Sequence, residues 1–157
     1  MTRDDSGTEV AVSNRQCRLK VNTRLLSRIV RRALDLVHDA DSQLGIVLVD
    51  DAAIAKLNAQ YHATPGPTDV LSFNYGEGQG ELIISAECAI RQAKRFRTTP
   101  GRELALYVVH GILHLHGYDD QASNDRRHMR ATERRLMSQM GEHFKFKDLI
   151  SKRLAKR

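Results

Sequence analysis

Apolar positions recur along this chain with two periods, and the switches between them predict its elements. Val10 and Val12 alternate with polar neighbours, as a short strand does. From Asn22 or Thr23 the period becomes helical. Leu25, Leu26, Ile29, Val30, Ala33, Leu34 and Val37 fall on one face, and Arg24, Arg28, Arg31, Arg32 and Asp35 largely fill the other, a face read as solvated. LGIVLVD, Leu44 to Asp50, is β-branched and reads as a buried strand. Asp50 or Asp51 can cap a following helix that carries Ile54, Leu57 and Tyr61. The prolines and glycine of HATPGPTD end it. Val70, Leu71, Phe73 and Tyr75 form a second strand, with Phe73 and Tyr75 read as core residues, and ELIIS, Glu81 to Ser85, is its partner across a five-residue GEGQG loop. No GK[ST] follows those glycines, so they are not a phosphate loop.

Ser85 can cap a helix running to about Phe96, and Thr98, Thr99 and Pro100 open the next. That helix carries Leu104, Leu106, Val108, Val109, Ile112 and Leu113 on most of its sides, so it is expected to be central. A last helix spans about Ser123 to Met140, with Met129, Leu136, Met137 and Met140 inward and five arginines (126, 127, 130, 134 and 135) outward. The basic tail after it is weakly amphipathic. The pattern predicts an α+β fold: a small mixed β-sheet packed with helices, as one domain over 9–157 behind a disordered polar tail over 1–8.

The central helix ends in the stretch with the clearest chemistry, VVHGILHLHGYDD, Val108 to Asp120. His110 and His114 are four residues apart, so both imidazoles lean the same way, about 6 Å apart along the axis. That suits two ligands of one cation. Gly117 can adopt the left-handed backbone that ends a helix, which folds the chain back toward the pair. Asp119 or Asp120 can then supply a third ligand, leaving a position open for water, as at a catalytic metal. His116 points elsewhere on the helix, toward solvent or substrate. The spacing HxxxHxxGxxD also matches zinc proteases of the metzincin type, but their general-base glutamate is replaced by Gly111, which cannot carry a proton.

Composition narrows the partners. The chain has 157 residues, a formal charge of +6, and two cysteines, Cys17 and Cys88, without a CxxC spacing. The basic excess favours polyanions, nucleic acid first. The cysteines read as free thiols of a reducing compartment. The N-terminus has no signal-peptide core and no apolar run approaches membrane length, so a cytoplasmic protein without membrane association is expected.

Three blocks resemble the YbeY family, bacterial endoribonucleases also called rRNA maturation factors. The family's HGxLHLxGYDH appears as HGILHLHGYDD, its YRxxxxPTNVLSF as YHATPGPTDVLSF (Tyr61 to Phe73), and its GDIxIS strand as GELIIS (Gly80 to Ser85). In order and spacing they cover roughly Leu44 to Met140. The resemblance implies a metal-dependent endoribonuclease of rRNA processing and small ribosomal subunit maturation, with 16S-type rRNA precursor and small-subunit proteins as partners. Carried over residue by residue, it assigns His110, His114 and Asp120 as metal ligands, the aspartate standing where the family has a third histidine. It implies Zn2+. Two neutral imidazoles and a carboxylate leave a zinc centre at net +1 instead of +2, which also admits other divalent ions.

A second departure is His62, where the family has an arginine of the cleft. A histidine there can meet a phosphate or move a proton as the catalytic partner of the metal, or it can be an inert replacement. Thr68 and Ser72 are candidate substrate-binding hydroxyls; their alternative is local bonding to backbone. Two other readings stand beside the nuclease: a non-catalytic RNA-binding assembly factor with a structural metal, and a two-His-one-carboxylate iron oxygenase, whose ligands normally come from a β-barrel and not a helix.

Overall fold

The computed structural model describes residues 2–3, 7–39, 41–62, 66 and 68–153, without the side chains of 2, 3, 62, 152 and 153. Among the described residues, seven strands and five α-helices run in the order β1 (Thr2–Arg3), β2 (Glu9–Asn14), β3 (Leu19–Val21), α1 (Thr23–Leu36), β4 (Gln43–Val49), α2 (Asp51–His62), β5 (Val70–Gly76), β6 (Gln79–Ser85), α3 (Ala86–Phe96), α4 (Pro100–Leu115), α5 (Ser123–Gly141) and β7 (Ile150–Arg153). Most predicted caps are where the sequence puts them. Asn22, Asp50, Ser85 and Thr99 each accept a backbone N–H from the first turn of the helix that follows.

The main sheet has the order β1-β2-β4-β6-β5. Strands β2, β4 and β6 are parallel, with Val12 beside Ile46 and Ile46 beside Leu82, while β5 closes one edge antiparallel to β6. One face of this mixed sheet presents Val10, Ile46, Leu48, Leu82 and Ile84 to α1 and α4, and this is the larger core. The other face presents Val47, Val49, Leu71 and Ile83 to Ile54 of α2. Both faces of β4 and β6 are therefore covered, which explains why their sequences are apolar runs and not alternations.

Helix α4 lies against the first face, and ten of its sixteen residues are buried. Its seat depends on glycine. A Cβ on Gly111 would stand 2.7 Å from Cδ2 of Leu82, a fully buried side chain of β6, and one on Gly101 would stand 2.0 Å from the Phe146 carbonyl oxygen. Position 111 therefore faces the sheet. A protease-type glutamate there would be driven into the core, away from the histidines.

The structure departs from the sequence expectations in four places. The GEGQG stretch is a tighter hairpin than a five-residue loop: only Glu77 and Gly78 lie between the strands, both at positive φ (53° and 75°). Two-residue hairpin turns favour such angles because they match the strand twist. Tyr75 is 63% exposed at the edge beside a register shift, instead of lying in the core, whereas Phe73 packs on the smaller core. Part of the 1–8 stretch pairs: Thr2 and Arg3 lie opposite Val10 and Glu9, and Thr8 is buried. A sheet edge offers free N–H and C=O groups to any extended segment, so such pairing needs no hydrophobic pattern. Finally, β3 and β7 form a second, two-stranded sheet that brings Ile150–Arg153 back to the body, with Leu149 buried beside it.

Gly111→Ala gains about 1 kcal/mol of helix propensity but overpacks Leu82. A net loss of about 1–2 kcal/mol in urea unfolding is expected, and a larger one for Gly101→Ala, where the obstacle is backbone. A stabilised Gly111→Ala would show that α4 can lift from β6 freely. Asp51 provides a second check. Burial works against its charge, but hydrogen bonds from Arg91 and from Ser85 Oγ (2.8 Å), with the Arg91 charge, hold its pKa below the ordinary value. A lowered folded pKa stabilises the fold above the unfolded value and loses that contribution as pH falls through the folded one. With the pair partly solvated and screened, Asp51→Asn is expected to cost up to about 1 kcal/mol at neutral pH, with the gap to wild type closing below about pH 4.

Candidate metal centre

The end of α4 is built to turn the chain back. Gly117 has φ +89°, its N–H donates to the His114 carbonyl (3.1 Å), and Tyr118 N–H donates to the Leu113 carbonyl (3.0 Å). This is the paired bonding of a helix closed by a left-handed glycine. His116, at the cap, is exposed and tied within the protein. Its Nδ1–H donates to the Ile112 carbonyl (2.8 Å), and its Nε2 meets the carboxylate of Asp39, just past α1, at 2.7 Å. Beyond the glycine, the exposed Asp119 bonds within its own loop, accepting Gln121 N–H (3.0 Å), while Arg126 of α5 donates to the Gln121 carbonyl (2.7 Å). The loop is thus held at both ends, with Asp120 between the two fastenings.

The result is convergence. Nε2 of His110 and Nε2 of His114 stand 3.1 Å apart, and Asp120 Oδ2 lies 3.8 Å from the first and 3.7 Å from the second. Ligand atoms about 2.0–2.2 Å from a tetrahedral zinc stand about 3.3–3.6 Å from one another. Two imidazole nitrogens and a carboxylate oxygen at these separations fit one divalent cation, and the three residues are the group that could hold one among the described residues. Asp120, not Asp119, completes the triangle. All three side chains are partly exposed, so an ion there keeps access to water.

The group forms one wall of an open cleft of about 830 Å³ between β5 and α4. Thr68 and Ser72 border the same cleft, as do Asn58 and Asn74, which the sequence reading did not pick out. Both predicted hydroxyls also bond within the protein: Thr68 Oγ1 donates to Asp69 Oδ1 (3.3 Å) and Ser72 Oγ to the Gly111 carbonyl (3.3 Å). His62 is the last residue of α2, and its side chain lies outside the described residues.

One carboxylate that the sequence reading passed over sits behind the centre. Glu133 Oε2 is 2.5 Å from His110 Nδ1. Burial opposes charge on His110, but the Glu133 hydrogen bond and charge, with Asp69 and Asp120 nearby, raise its pKa above the ordinary value. A signal was present. Glu133 falls on the stripe of Met129, Leu136, Met137 and Met140, and an acid on an apolar stripe is out of place unless it has a partner.

Comparison with known proteins gives this geometry its context. The family model for endoribonuclease YbeY matches residues 11–141. The chain belongs to the YbeY endoribonuclease family. The endoribonuclease YbeY of Pelotomaculum thermopropionicum is 36% identical over 146 residues, covering 83% of this chain and 96% of that protein. The Geobacter metallireducens YbeY is 34% identical over 141 residues, covering 83% and 94%. Among solved structures, the solution structure of a Thermotoga maritima protein aligns with a TM-score of 0.61 at 26% identity, over 85% of this chain and 90% of that one. The α+β architecture predicted from the hydrophobic pattern is the one observed.

Titration of the purified chain with Zn2+ is expected to show one ion per chain. His114→Ala and Asp120→Ala should each weaken binding at least about tenfold, as measured by competition with a chromophoric chelator. Affinity should fall as pH drops through the raised pKa of His110, because a proton then competes for its ring. Unchanged affinity in both variants would place the ion elsewhere.

Proposed function

We propose that this YbeY-family protein is a metal-dependent endoribonuclease that hydrolyses phosphodiester bonds of single-strand-type RNA in rRNA processing and small ribosomal subunit maturation. The observation that carries the reading is the convergence of His110, His114 and Asp120 on one point in the wall of an open cleft, in a chain of this family. We take Zn2+ as the resident ion. The donor set suits it, while the single carboxylate lowers the charge of the centre and widens the choice of divalent ions. A cation held there supplies a Lewis acid for a phosphodiester oxygen and acidifies water.

The chain's own residues do the rest. His110, His114 and Asp120 hold the ion and leave its cleft side open. Thr68 and Ser72 stand where a sugar-phosphate strand in the cleft would pass, and Asn58 and Asn74 add amide donors there. His62, at the end of α2, is assigned the family arginine's part, meeting phosphate charge or moving a proton. Arginines 126, 127, 130, 134 and 135 of α5 give the backbone an electrostatic track without sequence reading. Precursor rRNA of the 16S type and the small subunit with its proteins are the partners this reading implies. Treating 9–157 as one domain is supported by the larger core, whose members run from Val10 to Leu149.

A purely structural metal is usually closed off by four protein ligands. Three ligands on an open cleft favour catalysis over the assembly-factor reading, and the oxygenase, which shares this donor set, is disfavoured because both histidines come from helix α4 and not from a β-barrel. No helix among the described residues is long and apolar enough to cross a membrane.

Cleavage of a labelled single-stranded RNA by wild type and by His114→Ala decides the matter. A loss of at least about 100-fold in rate, with folding intact by circular dichroism, is expected. Equal rates would show that the activity does not use this centre. His62→Ala is expected to lower the rate about tenfold or more without changing metal content.

A further inference from the structure

We infer that Glu133 is a positioning residue of the metal centre: it takes the Nδ1–H of His110 and so presents Nε2 of that ring to the cation. The inference rests on the reading of His110, His114 and Asp120 as the ion's ligands. The two nitrogens of His110 point to two different neighbours. Nε2 faces His114 Nε2 at 3.1 Å and Asp120 Oδ2 at 3.8 Å, whereas Nδ1 meets Glu133 Oε2 at 2.5 Å. The imidazole ring stands between the convergence point and Glu133, so this carboxylate is a partner of a ligand and not a fourth ligand.

The two acids of the site are also exposed differently. The Asp120 side chain is 46% exposed and the Glu133 side chain 14%. A largely buried carboxylate needs a donor, and His110 is the one it has found. Helix α5 holds it there through its buried neighbours Met129, Thr132, Leu136 and Met137, and Thr132 Oγ1 bonds back to the His128 carbonyl (2.9 Å). The position is set by the packing of α5.

Three consequences follow physically. A neutral imidazole has two tautomers, and an acceptor on Nδ1 selects the one whose Nε2 lone pair is free. The ring is also fixed in orientation, so no rotamer freedom is lost on binding the ion. Lastly, a carboxylate partner makes the opposite nitrogen a stronger donor. At a centre where an aspartate replaces a third imidazole, Glu133 would sustain the donor strength of one of the two imidazoles that remain.

The test is the zinc affinity of the full chain carrying Glu133→Gln or Glu133→Ala, by competition with a chromophoric chelator, with Glu142→Gln as an exposed-charge control. Glu133→Gln keeps an acceptor and loses the charge; about tenfold weaker binding is expected, and up to about 100-fold for Glu133→Ala. Glu142→Gln should match wild type. In long-range 15N spectra of the zinc-loaded wild type, His110 should carry its proton on Nδ1, and the metal-free Glu133→Ala protein should show mixed tautomers. If Glu133→Ala does not fold, the Gln variant and the wild-type tautomer still decide. Tight stoichiometric zinc in wild type with equal affinity in the Glu133 variants, or a His110 proton on Nε2 in the loaded protein, would overturn the role of Glu133 and leave the metal reading standing. No stoichiometric zinc in wild type would remove both.

Discussion

Close contact between α4 and β6 is the constraint on which the site depends. Gly111 lets the helix backbone approach the fully buried Leu82, and Gly101 does the same for the Phe146 carbonyl nearer the other end. A helix seated at two points and buried on most sides has little freedom to rotate. His110 and His114 inherit that rigidity, since their Cβ directions are set by the backbone. The same contact accounts for the chemistry that is missing. Position 111 looks into the sheet, so the catalytic glutamate of a metzincin could not be accommodated there even though the histidine spacing is shared.

From this fixed helix the ligand set is completed by a loop, and the loop is fastened instead of free. The left-handed turn at Gly117, the Asp119 bond to Gln121 and the Arg126 bond to the Gln121 carbonyl leave Asp120 the residue that reaches the imidazoles. His116 ties the helix end to Asp39 beyond α1. Four separate interactions thus define one carboxylate position. That is the preorganisation a metal site needs, because ordering a loop at the moment of binding would weaken affinity.

The centre is asymmetric in its charges. Asp120 stands at the open side and Glu133 at the buried side of His110, so negative charge flanks the histidine on both sides. Such a field favours a divalent ion and equally favours a proton, which is why the pKa of His110 is raised despite burial. The arginine-bearing face of α5 lies nearby, with Arg126 and Arg130 bordering the same small hollow as His110, Asp120 and Glu133. Anion-attracting and cation-attracting groups are therefore adjacent, as a metal-assisted reaction on a phosphodiester requires.

Local order was readable along the chain. The caps at Asn22, Asp50, Ser85 and Thr99, the helix-ending Gly117 and the apolar runs of β4 and β6 depend on neighbours a few residues away, so a linear reading finds them. The His pair was legible for the same reason, since four residues on a helix is a local relation, and the YbeY-like blocks pointed to Asp120 over Asp119. What remained hidden depends on distance in sequence. Glu133 meets His110 across 23 residues, His116 meets Asp39 across 77, and β3 finds β7 through a chain reversal that no period announces. The direction in which Gly111 faces was equally invisible, because one residue's environment is set by which sheet its helix packs on. The sequence by itself determined most of the elements and, with the YbeY-like blocks, named all three converging donors. Only packing decided that Asp120 in fact reaches the imidazoles and which acid stands behind His110, since those positions follow from contacts among elements that the chain brings together only when folded.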